Sequence, residues 1–363
     1  MSLTAIQILK IRLMVEGLSL SQEVRSAIPG PLTLADYAST SGLTLRLEDD
    51  IWVNAPFIDF NPNFVTNPES ELIIDQGELY IQSEELGVKV RAWFIPVPNY
   101  HDKKNQRGEL YTSFGITHSD RVRISPIAGC AITCTFCDSP YTLRYKTKDA
   151  ADLIETTNIA LHDEQLPAKH VMISGGTPKP EDYDYLNEVY EKVVEAFPRI
   201  NIDVMMIPIP GLLDAQHLKD IGIHSLCINI EMFNQELARR VMSGKWRTSR
   251  ERYLKFIEGA VRIFGEDGVR SLILVGIEPL EDTLKGVEAL AQIGCDPVLR
   301  PFRPDPATPM RDVPPPSVEL LIEAYEKSEE IVARHGVKLG PRCIPCMHNT
   351  LTFPDDSGKY YYS

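Results

Sequence analysis

Three closely spaced cysteines are the first feature of this chain that could do chemistry. Cys130, Cys134 and Cys137 follow the pattern C-x3-C-x2-C. A closed zinc site normally takes four protein ligands, and an iron–sulfur cluster normally takes four cysteines. Because a loop with this spacing can wrap around one metal centre, the pattern predicts a centre with one position open to another ligand. A zinc site completed by a distant residue, or a tight turn with incidental cysteines, is the alternative.

Composition narrows the class of protein. The chain has 363 residues, with 43% hydrophobic and 24% charged residues, as in an ordinary globular protein. It has no apolar run of about 18 residues, and its first residues lack a signal-peptide pattern, so we expect a cytoplasmic protein without a membrane span. Seven cysteines, an odd number, favour metal or redox chemistry over disulfides. The net charge of −14 argues against a broad nucleic-acid-binding face.

The elements that must position the cysteines follow a strand–helix rhythm. From about residue 121, apolar runs alternate with amphipathic helical patterns in six units. Such alternation predicts right-handed parallel βαβ units, and six units are fewer than the eight of a full barrel. We therefore predict an α/β fold, a partial (β/α)6 TIM-like barrel over residues 116–340. An N-terminal α+β module (1–115) precedes it, and a short cysteine-containing C-terminal extension (341–363) follows it.

A second motif, ISGGTPKP, ends the second predicted barrel strand. Its residues Gly175 and Gly176 free the backbone to approach a ligand closely, and Thr177 shapes the turn that follows. In barrels of this kind, chemistry takes place at the carboxyl ends of the strands, where both this motif and the cysteines lie. An ordinary strand-to-helix turn would explain the motif alone equally well.

Polar residues also end the fourth predicted strand, SLCINIEMF. Period-2 alternation places Cys227, Asn229 and Glu231 on one face of that strand. A buried carboxylate is costly unless it is hydrogen-bonded, and the hydroxyls or ammonium of a cofactor would meet that need. The alternative is a glutamate exposed to water at the strand end.

With Phe136 as the aromatic residue before the last cysteine, the motif C-x3-C-x-Φ-C resembles that of the radical S-adenosylmethionine (radical SAM) superfamily. The barrel resembles the branch of biotin synthase and lipoyl synthase. The resemblance implies a [4Fe–4S] cluster on Cys130, Cys134 and Cys137, with S-adenosylmethionine on the open iron. Reductive cleavage of that molecule would yield a 5′-deoxyadenosyl radical that abstracts hydrogen from a small biosynthetic substrate.

The same resemblance assigns cofactor contacts along the barrel. The turn at Gly175 resembles the GGTP/GGEP motif that holds the methionine amino group, and the strand-four residues resemble those that hold the ribose or methionine part. An arginine in KWRTSRERYL would bind the cofactor carboxylate, either Arg252 or its neighbours Arg247 and Arg250. The residues implied in cofactor binding are Phe136, Gly175, Gly176, Thr177, Asn229, Glu231, Arg252 and Val275, the last of these near the adenine.

Arginines on the last predicted strand are candidates for substrate binding. The segment LRPFRPDPATPM resembles the sixth-strand segment of the same branch, and its Arg300 and Arg303 could reach an anionic substrate. A proline-rich loop with solvated arginines is the alternative. The sequence assigns no catalytic residue beyond the cofactor site.

A C-x2-C pair lies in the C-terminal extension. Cys343 and Cys346 could hold an auxiliary metal, either a second iron–sulfur cluster or zinc, with Cys227 and Cys295 as further ligand candidates. A redox dithiol or a plain turn would give the same spacing.

The expected partners follow from this chemistry. A radical SAM enzyme needs a reductant such as flavodoxin or ferredoxin, besides its small-molecule substrate. The alternatives are a non-catalytic iron–sulfur or zinc-binding protein and a radical SAM enzyme that modifies nucleic acid. The acidic charge balance argues against the second of these.

Overall fold

The computed structural model describes residues 3–28 and 42–355, and its first part is built around a six-stranded sheet. The strand order is β1-β4-β5-β6-β2-β3, in which only the β1–β4 pair is parallel. The elements are α1 (Ala5–Val15), β1 (Ser19–Leu20), α2 (Gln22–Ala27), β2 (Leu43–Leu47), β3 (Trp52–Ala55), β4 (Glu71–Asp75), β5 (Glu78–Ser83) and β6 (Val88–Phe94).

Alternating burial explains this antiparallel sheet. In β2, Leu43, Leu45 and Leu47 are buried, and the two residues between them are half-buried. One face of the strand therefore packs on the core and the other stays closer to solvent, as in antiparallel sheets generally. The antiparallel pairs β2–β3 and β5–β6 form two hairpins of this sheet.

The second part of the chain contains the predicted strand–helix units. Its strands are β7 (Gly115–His118), β8 (Arg121–Ile124), β9 (Ile127–Ala128), β10 (Lys146–Thr147), β11 (His170–Ile173), β12 (Ile202–Met205), β13 (Ser225–Cys227), β14 (Val269–Val275) and β15 (Asp296–Pro301). Its helices are α3 (Ser139–Thr142), α4 (Ala150–Leu161), α5 (Tyr183–Ala196), α6 (Ala215–Ile221), α7 (Gln235–Val241), α8 (Ser243–Trp246), α9 (Arg250–Phe264), α10 (Leu280–Gln292) and α11 (Val318–His335).

The larger sheet confirms the predicted partial barrel. Its order is β15-β14-β13-β12-β11-β8-β7, and β8 and β11–β15 are parallel to one another. A helix or a run of helices follows each of these six strands. The antiparallel strand β7 lies on the outer edge of β8. With β15 and β7 at its two ends, the described sheet is open, as the count of six units predicts.

Burial and capping explain the parallel units. All four residues of β11 are buried, as expected for a strand with both faces covered. Several helices begin at polar residues whose side chains accept hydrogen bonds from the first turn, such as Asp149 before α4 and Ser249 before α9. Helices α6 and α11 end at Gly222 and Gly336, which adopt the left-handed conformation.

The C-terminal extension runs beside the last barrel strand. The amide of Leu351 donates to the carbonyl of Leu299 at 2.9 Å, and the amide of Gly340 donates to that of Pro297 at 2.8 Å. A short 3-10 helix (Pro345–Asn349) follows the C-x2-C pair. The last eight residues of the predicted extension lie outside the described range.

The N-terminal module also contacts this extension. Lys10 of α1 is fully buried, and its ammonium donates to the carbonyls of Met347 at 2.9 Å and Thr352 at 2.6 Å. The first helix and the described part of the extension are thus held together beside the barrel. None of the helices in residues 3–28 and 42–355 combines the length and apolar character needed to cross a membrane.

Candidate active site

The three clustered cysteines line a cavity at the carboxyl ends of the barrel strands. The cavity measures about 140 Å³, and Cys130, Cys134, Cys137 and Phe136 form one side of it. The loop that carries them follows β9, immediately after the first parallel strand. The position agrees with the expectation that chemistry takes place at this end of the sheet.

The glycine turn after β11 packs directly against the cysteine loop. The amide of Thr177 donates to the sulfur of Cys130 at 3.1 Å, and the amide of Ala131 donates to the carbonyl of Thr177 at 2.9 Å. A Cβ on Gly176 would lie 1.6 Å from the carbonyl oxygen of Gly129. Only glycine therefore allows this approach, which brings the predicted Gly175–Thr177 motif into the wall of the cavity.

Two short helices hold the cysteine loop from the other side. The amide of Thr135 donates to the carbonyl of Val241, the last residue of α7, at 2.8 Å. A Cβ on Gly244 of α8 would lie 2.7 Å from the Cβ of Ile132, so this helix also lies close against the loop. The loop is thus fixed by segments that follow β11 and β13.

A buried ion pair also lines the cavity. Lys245 of α8 contacts Glu231 with its ammonium 2.9 Å from Oε1, and the two side chains are only 6% and 15% exposed. Among the described residues, Oε2 of Glu231 has no hydrogen-bond partner. A buried carboxylate oxygen without a partner, in the wall of a cavity, is suited to accept a hydrogen bond from a ligand.

The backbone at Glu231 departs from the predicted strand. β13 ends at Cys227, and Glu231 adopts a left-handed conformation with φ 60°. Period-2 alternation therefore does not extend to residue 231, yet Cys227, Asn229 and Glu231 all line the cavity. The amide oxygen of Asn229 accepts from the amide of Leu272 on β14 at 3.1 Å, which supports the irregular segment after the strand.

Burial raises the pKa of two cysteine thiols in the cavity wall. It raises the pKa of Cys137 to about 11, and it raises that of Cys134 further. The carboxylate of Glu231 adds to this rise at Cys134, and the ammonium of Lys245 opposes it. A bound metal ion would oppose the same rise, because its positive charge favours the thiolate.

A family comparison covers the segment that contains this cavity. The family model of the radical SAM superfamily matches residues 124–291. This segment of the chain belongs to the radical SAM superfamily. A curated relative, the bacteriochlorophyllide c C-7(1)-hydroxylase of Chlorobaculum limnaeum, is 27% identical over 176 residues, which are 46% of this chain and 44% of the relative. The chain thus matches less than half of the length of that relative.

Solved structures resemble the chain at low identity. A radical SAM methyltransferase from Sphaerobacter thermophilus is 15% identical with a TM-score of 0.48, over 77% of this chain and 80% of that one. The FeFe-hydrogenase maturase HydG from Carboxydothermus hydrogenoformans is 17% identical with a TM-score of 0.47, over 59% of this chain and 52% of that one.

Four residues predicted from the sequence lie outside the wall of the radical SAM cavity. Arg252 is exposed on α9, and Val275 is buried in β14. Arg300 is half-buried on β15. Arg303 is buried, and its guanidinium donates to the side-chain oxygen of Asn54 at 2.8 Å and to the carbonyl of that residue at 2.6 Å. Cofactor or substrate binding by these four residues remains a prediction.

Lys245 is a cavity residue that the sequence did not single out. It lies on a four-residue helix in a segment that is rich in lysine and arginine, and no spacing distinguishes it from its neighbours. The only feature of the sequence that could have indicated a role for Lys245 is its position between the strand-four motif and the arginines of α9.

The C-x2-C pair lies at the opposite end of the barrel strands. Donor atoms of Cys343, Cys346, Asp120 and His170 all lie within 4.8 Å of one another. Asp120 immediately precedes β8, and His170 is the first residue of β11, so both belong to the amino ends of strands. The two other ligand candidates lie elsewhere: Cys227 lines the radical SAM cavity, and Cys295 is buried at the start of β15.

Proposed function

We propose that the chain is a radical SAM enzyme that abstracts hydrogen from a small-molecule substrate. The observation that carries the proposal is the convergence of Cys130, Cys134 and Cys137 with the Gly175–Thr177 turn and Glu231 in one cavity. All of these residues lie within the matched segment 124–291. The donor set suits a cluster with three protein thiolates and one open position.

The residues of the cavity have distinct roles in this proposal. Cys130, Cys134 and Cys137 would hold a [4Fe–4S] cluster, and S-adenosylmethionine would occupy the open iron. When bound, this pair supplies a 5′-deoxyadenosyl radical for hydrogen abstraction. The amide of Thr177 donates to the sulfur of Cys130 and so helps to fix the position of that sulfur.

Glu231 and Lys245 orient the cofactor in this proposal. Lys245 bonds to Oε1 of Glu231, which leaves Oε2 to accept from an ammonium or hydroxyl group of S-adenosylmethionine. Asn229 supports the same segment through its hydrogen bond to β14. Phe136, next to the last cysteine, supplies apolar surface in the wall.

The proposal also covers the reductant, the location and the substrate class of the enzyme. It requires a one-electron reductant such as flavodoxin or ferredoxin and places the protein in the cytoplasm. The net charge of −14 favours a small-molecule substrate over nucleic acid. Cys343 and Cys346 belong to a second metal centre at the far end of the barrel. Because the Chlorobaculum relative is named a hydroxylase, a hydroxylated product is the first reaction product to test for.

Anaerobic reconstitution tests the proposal. The protein should take up about four iron and four sulfide per chain for this site. With dithionite and S-adenosylmethionine it should release 5′-deoxyadenosine, measured by chromatography. Cys134→Ala should lose both the cluster absorbance and the product. Cys295→Ala is the matched control, because Cys295 is buried away from the cavity, and it should retain both.

Two outcomes would overturn the proposal. An unchanged cluster in Cys134→Ala would place the iron elsewhere in the chain. A fully reconstituted cluster that yields no 5′-deoxyadenosine with dithionite or with reduced flavodoxin would point to a non-catalytic iron–sulfur protein.

A further inference from the structure

We propose that Asp120, His170, Cys343 and Cys346 bind a single zinc ion that fastens the C-terminal extension to the amino end of the barrel. Carboxylate, imidazole and thiolate are all established zinc ligands. Three of the four residues lie outside the matched segment 124–291, so the site is distinct from the radical SAM cavity. The inference does not depend on the proposed radical chemistry.

The distances between donor atoms fit tetrahedral coordination. From Oδ1 of Asp120, the sulfur of Cys343 lies at 3.3 Å and that of Cys346 at 3.8 Å. From Nε2 of His170, these sulfurs lie at 3.5 Å and 3.4 Å, and Asp120 Oδ1 lies at 3.4 Å. Zinc–ligand bonds of about 2.0–2.3 Å at tetrahedral angles separate the ligand atoms by about 3.3–3.8 Å. Five of the six donor pairs have these separations, and the two sulfurs lie within 4.8 Å of each other, so one ion can reach all four donors.

Burial strengthens the case for an ion. The four residues are between 2% and 6% exposed. Oδ2 of Asp120 has no hydrogen-bond partner within the described part of the chain. A carboxylate and two thiols, the latter weak hydrogen-bond donors, leave each other poorly satisfied in such a buried place. A divalent cation would satisfy these groups together.

The surroundings of the site suit two thiolates. The amide of Cys346 donates to the sulfur of Cys343 at 3.4 Å, which stabilises negative charge on that sulfur. Two thiolates, a carboxylate and a neutral imidazole around a divalent ion leave one net negative charge. Arg121 and Arg270 lie close enough to Cys346 to interact with that charge.

The donor set favours zinc over a second iron–sulfur cluster. Such clusters are held mainly by four cysteines. Cys227 and Cys295, the other two cysteines outside the cluster loop, are not in the group of four converging donors. Four protein ligands around one ion also leave no open position for a substrate, which is typical of a structural zinc site.

The position of the site indicates what the ion would do. Arg342, next to Cys343, bonds to Asp296 at the start of β15 at 2.7 Å. Asp120 and His170 belong to β8 and β11, at the other side of the parallel sheet. The extension therefore crosses from the last parallel strand to the first two, and the ion would close the open barrel at its amino end.

Metal analysis of the purified protein is the direct test. The variant with Cys130, Cys134 and Cys137 all changed to Ala should lose its cluster iron and retain about one zinc per chain. Replacement of zinc by Co²⁺ should give the visible bands of tetrahedral cobalt together with thiolate-to-cobalt charge-transfer absorption. Chelation of the ion should lower Tm by at least about 5 °C.

Variants of one ligand separate zinc binding from folding. Asp120→Ala should lose the zinc. Asp120→Cys supplies a third thiolate, so it should keep one zinc per chain and show stronger charge-transfer absorption with cobalt. Iron with acid-labile sulfide at this site, a Cys343–Cys346 disulfide, or absence of metal in the freshly purified protein would overturn the proposal, whichever variants fold.

Discussion

The two ends of the barrel offer metal ligands in contrasting arrangements. At the carboxyl end, three cysteines lie along the wall of a cavity together with glycine backbone and a buried ion pair. At the amino end, four buried donors converge within 4.8 Å of one another. The first arrangement has fewer protein ligands than a cluster normally takes, and the second supplies all four ligands of a tetrahedral ion.

The contrast indicates that the two ends of the sheet have different tasks, cofactor chemistry at one end and closure of the barrel at the other. Loops at the carboxyl ends of parallel strands can vary without disturbing the strands, so they can enclose a cofactor and its substrate. The amino-end donors instead connect the neighbouring strands β8 and β11 to the extension, which runs beside β15 at the other side of the sheet. We infer that the carboxyl end is built to exchange ligands and that the amino end is built to retain one.

The largest effect should come from the close approach between the glycine turn and the cysteine loop. Gly176→Ala places a Cβ 1.6 Å from the carbonyl oxygen of Gly129, so the loop must move. We expect formation of 5′-deoxyadenosine to fall by about 100-fold, the usual result of displacing reacting groups by about 1 Å. The rate is measured anaerobically with dithionite.

A second glycine serves as its control. A Cβ added to Gly259 in α9 would meet none of the surrounding described atoms within 4 Å, so Gly259→Ala should leave the rate unchanged and stabilise the helix slightly. Zinc content should be the same in both variants. Loss of zinc from Gly176→Ala would show that the two ends are coupled, against the separation inferred above.

The next effect concerns the ion pair in the cavity. Lys245→Met leaves Glu231 buried without its cation, which should cost about 3 kcal/mol of the free energy of unfolding. The rate of 5′-deoxyadenosine formation should fall by about tenfold, because a hydrogen bond to a charged group contributes about 1.5–3 kcal/mol. Stability is measured by urea unfolding.

A double variant distinguishes stability from function. Glu231→Gln with Lys245→Met removes both charges, so stability should largely return while the rate stays low. Lys285→Met breaks an exposed pair with Asp282 and should change stability by no more than about 0.5 kcal/mol. Recovery of the rate in the double variant would remove Glu231 from the proposed cofactor site.

The separation of the site residues along the sequence explains why one end of the barrel could be predicted and the other could not. The carboxyl-end residues belong to motifs that directly follow strands, so the strand–helix rhythm was enough to place the cysteines, Gly175 and Glu231 together. Asp120 and His170 are single residues that precede or begin strands. They lie 223 and 173 residues from Cys343, and no local pattern connects them. The pairing of β8 with β11 places Asp120 beside His170, and only the packing of the extension under the barrel brings the two cysteines to them.

A smaller effect should appear in the pH dependence of stability. Burial lowers the pKa of Lys10, which holds the extension, from 10.5 to about 7. Between these two values the unfolded chain binds more protons than the folded chain, so the free energy of unfolding should rise with pH. The rise for one group is at most about 1.4 kcal/mol per pH unit. Lys10→Met should remove this contribution, measured by urea unfolding at about pH 7.5 and about pH 9.5, which both lie in that window.

Two other lysines make this comparison specific. Burial also lowers the pKa of Lys148 to about 7, but that residue contributes to both proteins and cancels in their difference. Lys327, whose pKa is raised by Glu323, is an exposed control, and Lys327→Met should keep the full rise. Equal slopes for Lys10→Met and the unchanged protein would mean that Lys10 does not titrate in this range.

The smallest effect should separate two arginines of α9. Arg252 is exposed and lies outside the cavity wall, so Arg252→Ala should change the rate of 5′-deoxyadenosine formation by no more than about twofold. Arg250 donates to the carbonyl of Phe233 at 3.0 Å and lies 4.2 Å from the centre of its ring. Since Phe233 is two residues beyond Glu231, Arg250→Ala should lower the rate more. The reverse order, with a raised KM for S-adenosylmethionine in Arg252→Ala, would instead support the sequence-based assignment of Arg252 to the cofactor carboxylate.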